Sequence, residues 1–262
     1  MLEFAVQLAR EAGEILMRAY GTVERGAIGY KGWRNLVTET DLAVEEHIAR
    51  RIADRFPAHG IQGEERVSKA SAPGDPHRWV IDPLDGTTNF VHAHPFFCVS
   101  IGLERSGEGE CGVVFAPYLE ELFAAQRGGG AFLNGGRCRV STEDSLSHAL
   151  LASGFAYRED EQINTNLDNW SRLSTVCRGL RRCGAAALDL AYVACGRYDG
   201  FWELYLSPWD VAAGGVLVRE AGGRVSDLSG GSAWRDGREI LATNGVLHEV
   251  VRARLQGDPT RG

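Results

Sequence analysis

Asp82 and Asp85 close an apolar run, Trp79-Val80-Ile81, with Pro83 and Leu84 between them and Gly86-Thr87-Thr88-Asn89 behind. The apolar run reads as a short buried strand. Asp-Pro and Asp-Gly are turn chemistry, and the proline stiffens the turn. Two carboxylates are thus held at a strand end, ahead of small residues whose amides can face a ligand, a pattern suited to a hard cation and a phosphate. Three more acids stand where elements start or stop: Asp41 in Leu36-Val37-Thr38-Glu39-Thr40-Asp41, Glu64 in Ile61-Gln62-Gly63-Glu64-Glu65, and Asp210 in Pro208-Trp209-Asp210. Singly, each can be a cap or turn residue, and Gly63-Glu64-Glu65 alone reads as a solvated acidic turn. As a set they demand more. Two carboxylates about 4 Å apart repel by roughly 4 kcal/mol at an effective dielectric of about 20, so a gathered group needs protons or a cation. Few basic residues lie beside them in sequence. All-oxygen donors select Mg²⁺, Mn²⁺ or Ca²⁺ rather than zinc, and Asp82, the Leu84 carbonyl and Asp85 can hold two such ions.

The elements that must carry these residues follow from periodicity. Phe4/Ala5, Leu8, Ala12, Ile15/Leu16 and Ala19 give an amphipathic helix over residues 2–20, stopped by Gly21. A Gly-rich segment, Gly26 to Gly32, precedes a second helix capped by Thr40 or Asp41, with Val44, Ile48, Ile52 and Phe56 on its apolar face and Pro57 as its end. Ile61 to Glu65 suggests a strand ending in carboxylates, and Arg66 to Pro76 a mobile loop. Cys98–Leu103, Gly112–Phe115 and Leu122–Ala125 read as antiparallel strands, with Arg127-Gly128-Gly129-Gly130 and Asn134-Gly135-Gly136 as hairpin turns; the first lacks the GK[ST] ending of a phosphate loop. Beyond residue 145 strands alternate with helices: a strand at Ala149–Ala152, a helix at Asn166–Val176, a helix from Cys183 to Ala194, a strand at Phe201–Leu204, a helix from Pro208 to Ala221, short strands at Val225 and Ile240–Ala242, a closing helix at Val246–Leu255, and a frayed tail. The expected class is α/β, a single catalytic unit over 1–262 with an N-terminal α+β lobe (1–144) and a C-terminal α/β lobe (145–262) sharing one cleft.

Composition narrows the function. The net charge is −7 over 262 residues with acids and bases dispersed, unlike a nucleic-acid footprint. No apolar run approaches about 18 residues, so no membrane span is expected, and the N-terminus does not read as a signal peptide. Six scattered cysteines without a CxxC pair read as free thiols of a cytoplasmic protein. His92-Ala93-His94 could bind zinc on a strand, but no third ligand is evident and a loop or interface role is preferred. Trp202 and Tyr205 either shape a pocket or pack in the core; Phe96-Phe97 read as core.

Leu36-Val37-Thr38-Glu39-Thr40-Asp41, Gly63-Glu64-Glu65, Asp82-Pro83-Leu84-Asp85-Gly86-Thr87-Thr88-Asn89-Phe90 and Trp209-Asp210-Val211-Ala212-Ala213-Gly214, in that order, resemble the inositol monophosphatase family of Mg²⁺-dependent, lithium-sensitive phosphomonoesterases. The resemblance covers nearly the whole chain. It implies a layered αβαβα sandwich, usually dimeric. It implies Glu64, Asp82, Asp85, Asp210 and the Leu84 carbonyl as metal ligands, and Glu64, Thr87 and Asp41 as catalytic residues, with Asp41 pairing with the Thr87 hydroxyl. Gly86, Thr87, Gly184, Ala185, Ala186, Glu203 and Asp210 would surround the substrate, and Lys31 matches a basic residue near the site. The implied cofactor is Mg²⁺, two or three ions per site, with Mn²⁺ as a substitute and Ca²⁺ and Li⁺ inhibitory. The implied reaction is in-line attack of metal-activated water on a phosphate monoester, with no covalent enzyme intermediate. Inositol-1-phosphate is the first substrate expected. Histidinol phosphate, fructose-1,6-bisphosphate or a 3′-phosphoadenosine nucleotide are alternatives, and a regulatory interaction protein is a third reading. The expected partner is a small phosphorylated polyol, in a homodimer without nucleic acid or membrane.

Overall fold

The structure, a computed structural model, describes residues 1–22, 29–30, 36–156 and 164–257. Most of the Gly-rich segment, Lys31 and the tail after Gly257 lie outside the described residues. Helix α1 (Leu2–Ala19) buries the stripe Ala5, Leu8, Ala9, Ala12 and Leu16, as its spacing predicts. The short strands β1 (Gly29–Tyr30) and β2 (Leu36–Val37) pair antiparallel ahead of α2 (Glu39–Arg55). Thr38, rather than Thr40 or Asp41, caps α2. Its hydroxyl accepts the Thr40 and Asp41 amides at 3.2 and 3.4 Å, while Asp41 Oδ2 accepts the Thr38 amide at 2.9 Å. This reciprocal box needs the acid three residues inside the helix, which is where Asp41 stands.

The first sheet has eight strands: β3 (Gly60–Gly63), β4 (Ser68–Lys69), β5 (His77–Asp85), β6 (Cys98–Arg105), β7 (Glu108–Ala116), β8 (Glu121–Gln126), β9 (Gly130–Leu133) and β10 (Gly136–Cys138). Their order is β10-β9-β8-β7-β6-β5-β3-β4, parallel only at β3–β5. The segment expected as a mobile loop, Arg66 to Pro76, contains the edge strand β4. β5 runs nine residues instead of three because Asp82 pairs with Ser100 and Asp85 with Cys98 across a register shift. Such a shift is where a sheet tolerates proline, here Pro83. The five-residue helix α3 (Thr87–Val91) follows.

The second sheet is built from β11 (Leu150–Ser153), β12 (Gly179–Arg181), β13 (Gly200–Leu204), β14 (Arg224–Ser226) and β15 (Glu239–Thr243), in the order β12-β11-β13-β15-β14. Interleaved with it are α4 (Leu167–Ser174), α5 (Ala186–Ala194), α6 (Pro208–Glu220) and α7 (His248–Leu255). α5 starts at Ala186 rather than Cys183, because Gly184 takes φ +86° and breaks the helical path.

Three apolar interfaces stack these elements into five layers. Leu8, Leu16, Val44 and Ile48 meet Ile81, Ile101 and Val113 between α1/α2 and the first sheet. Val114 and Phe123, from that sheet's other face, meet Leu190, Val211 and Leu217 of α5 and α6, which also cover Phe201 and Ile240 of the second sheet. Trp202 and Leu241 point the opposite way, to Leu173, Val251 and Leu255 of α4 and α7. Alternation along β7, β13 and β15 thus assigns each residue to its layer, and the αβαβα sandwich expected from the sequence is what the chain forms. α6 lies close on the first sheet because Gly112 presents no side chain; a Cβ there would stand 2.4 Å from the Ala213 carbonyl oxygen.

Candidate metal and phosphate site

Asp82 and Asp85 project from the end of β5, and Asp210 from the first turn of α6. One carboxylate oxygen of each lies within 4.8 Å of the others. Each is fixed from behind. Leu84 N donates to Asp82 Oδ1 at 2.9 Å. Ala187 N and Cys98 Sγ donate to Asp85 Oδ2 at 2.7 and 3.7 Å. Ser207 N donates to Asp210 Oδ2 at 2.6 Å, in a second capping box.

Burial raises the pKa of all three acids, and their mutual charge and that of Glu64 raise it further; Asp85 is pushed up to about 6, while Asp82 and Asp210 are held well above the usual carboxylate range. Negative charge packed away from water in this way is relieved by a cation. Donors that are all oxygen, converging from two directions, fit a hard divalent ion of the Mg²⁺ type.

Glu64 follows β3, on a turn held by α2. Buried Glu45 receives the amides of Glu65, Arg66 and Val67 at 2.8, 2.7 and 3.0 Å. A Cβ at Gly63 would stand 2.1 Å from Glu45 Oε1, so the clamp depends on that glycine. Glu64 shares a hydrogen bond with Asp82, and its charge reaches Asp41. The Thr87 hydroxyl lies 3.2 Å from Asp41 Oδ1 and 3.1 Å from the Leu84 carbonyl oxygen. Burial raises the Asp41 pKa, against bonds from Thr38. Gly86 caps α3 at φ +94°, and a Cβ there would meet the Phe96 carbonyl oxygen at 3.0 Å.

On the second sheet, Glu203 lies with its carboxylate against Gly154, where a Cβ would be 2.1 Å from Oε1. Burial raises its pKa to about 8; Arg182 lowers it and Asp85 adds to the rise. Gly184, Ala185 and Ala186 form the turn into α5, tied to α3 by Asn89 Nδ2, which donates to the Cys183 carbonyl at 2.8 Å. The turn expected to line the substrate therefore also leads into the Ala187 amide that holds Asp85.

Sequence reading passed over three residues that the fold brings into this region. Glu45 and Thr38 act from α2. Asp189 is 1 % exposed on α5, with Oδ1 lacking a hydrogen-bond partner among the described residues and its pKa raised well above normal by burial, Glu203 and Asp85. The available signal for Asp189 was an acid inside the apolar run Ala185 to Ala194.

His92 and His94 do not form a strand pair. His92 caps α3, Ala93 takes φ 53°, and neither ring joins a group of ligand atoms among the described residues. Trp202 is core, donating Nε1 to Asn166 Oδ1 at 2.9 Å. His59, Asp75 and His77 bring ligand-type atoms within 4.8 Å of one another. Trp79 Nε1, however, donates to His59 Nδ1 at 3.1 Å, which leaves the neutral ring's proton on Nε2 and no lone pair for a metal. All six cysteines are free thiols, and no helix among the described residues is long and apolar enough to cross a membrane.

A profile of the Inositol monophosphatase family matches residues 1–258. The chain is 48 % identical over 261 residues to a Pseudomonas aeruginosa protein named Nus factor SuhB, covering 98 % of this chain and 96 % of that one. It is 41 % identical over 251 residues to a Mesorhizobium japonicum inositol-1-monophosphatase, covering 96 % and 94 %. The crystal structure of extragenic suppressor protein suhB from Bartonella henselae superposes with a TM-score of 0.92 at 41 % identity, over 97 % of each chain.

Proposed function

Since the chain belongs to the inositol monophosphatase family and is a phosphatase of that family, we propose that it hydrolyses inositol-1-phosphate to inositol and phosphate, with Mg²⁺ as cofactor. The observation that carries the proposal is the meeting of Asp82, Asp85 and Asp210 within 4.8 Å, from two elements far apart in sequence. Asp82, Asp85, Asp210, Glu64 and the Leu84 carbonyl would hold the ions. Bound there, Mg²⁺ supplies Lewis-acid polarisation of the phosphate and lowers the pKa of water.

The remaining work falls to the chain. Glu64 orients the attacking water and takes its proton, beside the Thr87 hydroxyl that Asp41 holds. The Gly86 and Thr87 amides, at the start of α3, face the phosphate oxygens. Gly86 offers them without a side chain in the way. Glu203 accepts hydrogen bonds from hydroxyls of the leaving polyol, across from Gly184 to Ala186. A buried carboxyl with its pKa raised to about 8 suits hydrogen bonding to polyol hydroxyls, which supports inositol-1-phosphate over a bisphosphate or nucleotide. The proposal includes a cytoplasmic homodimer inhibited by Li⁺ and Ca²⁺, with Mn²⁺ replacing Mg²⁺.

A second reading, a regulatory interaction protein, is favoured by the name Nus factor borne by the Pseudomonas relative. Phosphate release from inositol-1-phosphate, histidinol phosphate, fructose-1,6-bisphosphate and 3′-phosphoadenosine nucleotides, with and without Mg²⁺, separates the readings. The highest kcat/KM should fall on inositol-1-phosphate. Release from none of them would leave regulation as the role. Asp85→Asn should remove nearly all turnover in a protein with an unchanged circular dichroism spectrum; near-normal activity would sink the scheme.

A further inference from the structure

A small, partly open cleft lies between α6, the β6–β7 hairpin and the turn Ala233–Asp236, its walls carrying Glu104, Gly109, Val216, Arg219, Trp234 and Arg235. Beside it, guanidinium groups gather round one carboxylate. Arg235 Nη1 is 2.6 Å from Glu108 Oε1, and Arg219 Nη1 and Arg127 Nη2 are each 3.8 Å from Oε2. Arg127 is otherwise engaged, donating Nε and Nη2 to the Gly109 carbonyl at 3.0 and 2.7 Å. At 3.8 Å Arg219 is attracted but not hydrogen-bonded, and its guanidinium donates to no acceptor among the described residues. Arg235 Nε is buried and likewise lacks an acceptor among them.

The nearby acids are already taken. Glu104 is held by Arg78 through Nη2 and Nε at 2.7 and 3.1 Å. Glu220, next to Arg219, accepts the Gly128 and Gly130 amides at 3.0 and 2.9 Å. Arg78, Arg127, Arg219 and Arg235 stand against Glu104, Glu108 and Glu220, four cations to three carboxylates, so these groups are unbalanced toward positive by one. Unused guanidinium donors in a fixed fork are the chemistry that grips a tetrahedral oxyanion.

We propose that this cleft binds a small free oxyanion of the phosphate or sulfate kind, held by Arg219 and Arg235, with Glu108 as its internal competitor. The site shares no residue with the Asp82–Asp85–Asp210 centre and does not depend on the reaction proposed there.

Inorganic sulfate titrated calorimetrically into the chelator-treated full-length protein tests it, since the acidic centre without a cation repels anions. One saturable site per chain is expected. Arg219→Gln should weaken it about tenfold, whereas Glu108→Gln, which removes the competitor, should tighten it several-fold. Both side chains are substantially exposed, at 47 % and 40 %, so neither variant threatens the fold, and circular dichroism checks that. No saturable uptake by the parent protein would overturn the proposal, as would unchanged affinity in both variants or weakening in both.

Discussion

At the scale of single residues, the proposed centre is a set of acids held together against their own repulsion. Asp82→Asn keeps an acceptor for the Leu84 amide while removing a charge from a crowded group. It should therefore raise the stability of the metal-free protein at pH 8 by about 1–2 kcal/mol, measured by urea unfolding, and abolish the further stabilisation that Mg²⁺ gives the parent. A lower metal-free stability would show that repulsion is not what governs these side chains. The acids themselves were legible in the sequence because Asp82-Pro83-Leu84-Asp85 is local and its turn chemistry is explicit. Asp189 was not, since nothing along α5 announces that Arg182, Glu203 and Asp85 exert their charge on it; only the meeting of α5 with both sheets places them there. Glu45 was hidden for the same reason, its partners lying about twenty residues ahead.

At the scale of elements, α2 is the part that works hardest. It carries Asp41, which meets Thr87, and one turn later Glu45, which clamps the turn bearing Glu64. Glu45→Gln leaves one of its amide partners facing a donor instead of an acceptor. A stability loss of about 1–3 kcal/mol is expected, with kcat for phosphate release falling more than KM changes, because Glu64 loses its support rather than the substrate its contacts. An unchanged kcat would detach the clamp from catalysis. The helix period was readable where one face is buried, as in α1, and β7 showed as an apolar run because both of its faces are covered. Boundaries failed where a single backbone feature overrides the pattern: the capping box at Thr38, the left-handed Gly184, and the cross-strand pairs that carry β5 through Pro83. Strands of two or three residues, such as β4 and β12, exist through their neighbours and leave no periodic trace.

At the scale of the molecule, the five layers enclose a number of polar groups, His248 among them. It is 0 % exposed, between Ser226 Oγ at 2.8 Å from Nε2 and Thr243 Oγ1 at 3.1 Å from Nδ1. Burial, with the charges of Arg224 and Arg252, pushes its pKa down to about 4. The unfolded chain takes up that proton near pH 6.5 and the folded one does not. The stability contribution is thus complete above about pH 6.5 and is lost as pH falls toward about 4, by up to about 3 kcal/mol. Urea midpoints between pH 7.5 and pH 5 should show this slope, and His248→Gln should flatten it. The layer order was legible only through the family resemblance, and the alternation of β7, β13 and β15 between interfaces accounts for it in the fold. Which surface donors would remain unsatisfied, at Arg219 and Arg235, was not, because that depends on the hairpin, the helix and the turn meeting.

The distance along the chain between the acids has one more effect. Asp85 and Asp210 are 125 positions apart, so an ion shared between them would act as a reversible staple across half the polypeptide. Tying the ends of so long a segment removes roughly 4 kcal/mol of freedom from the unfolded chain. Chelation should then speed proteolysis of the whole molecule, well beyond the neighbourhood of the emptied corner.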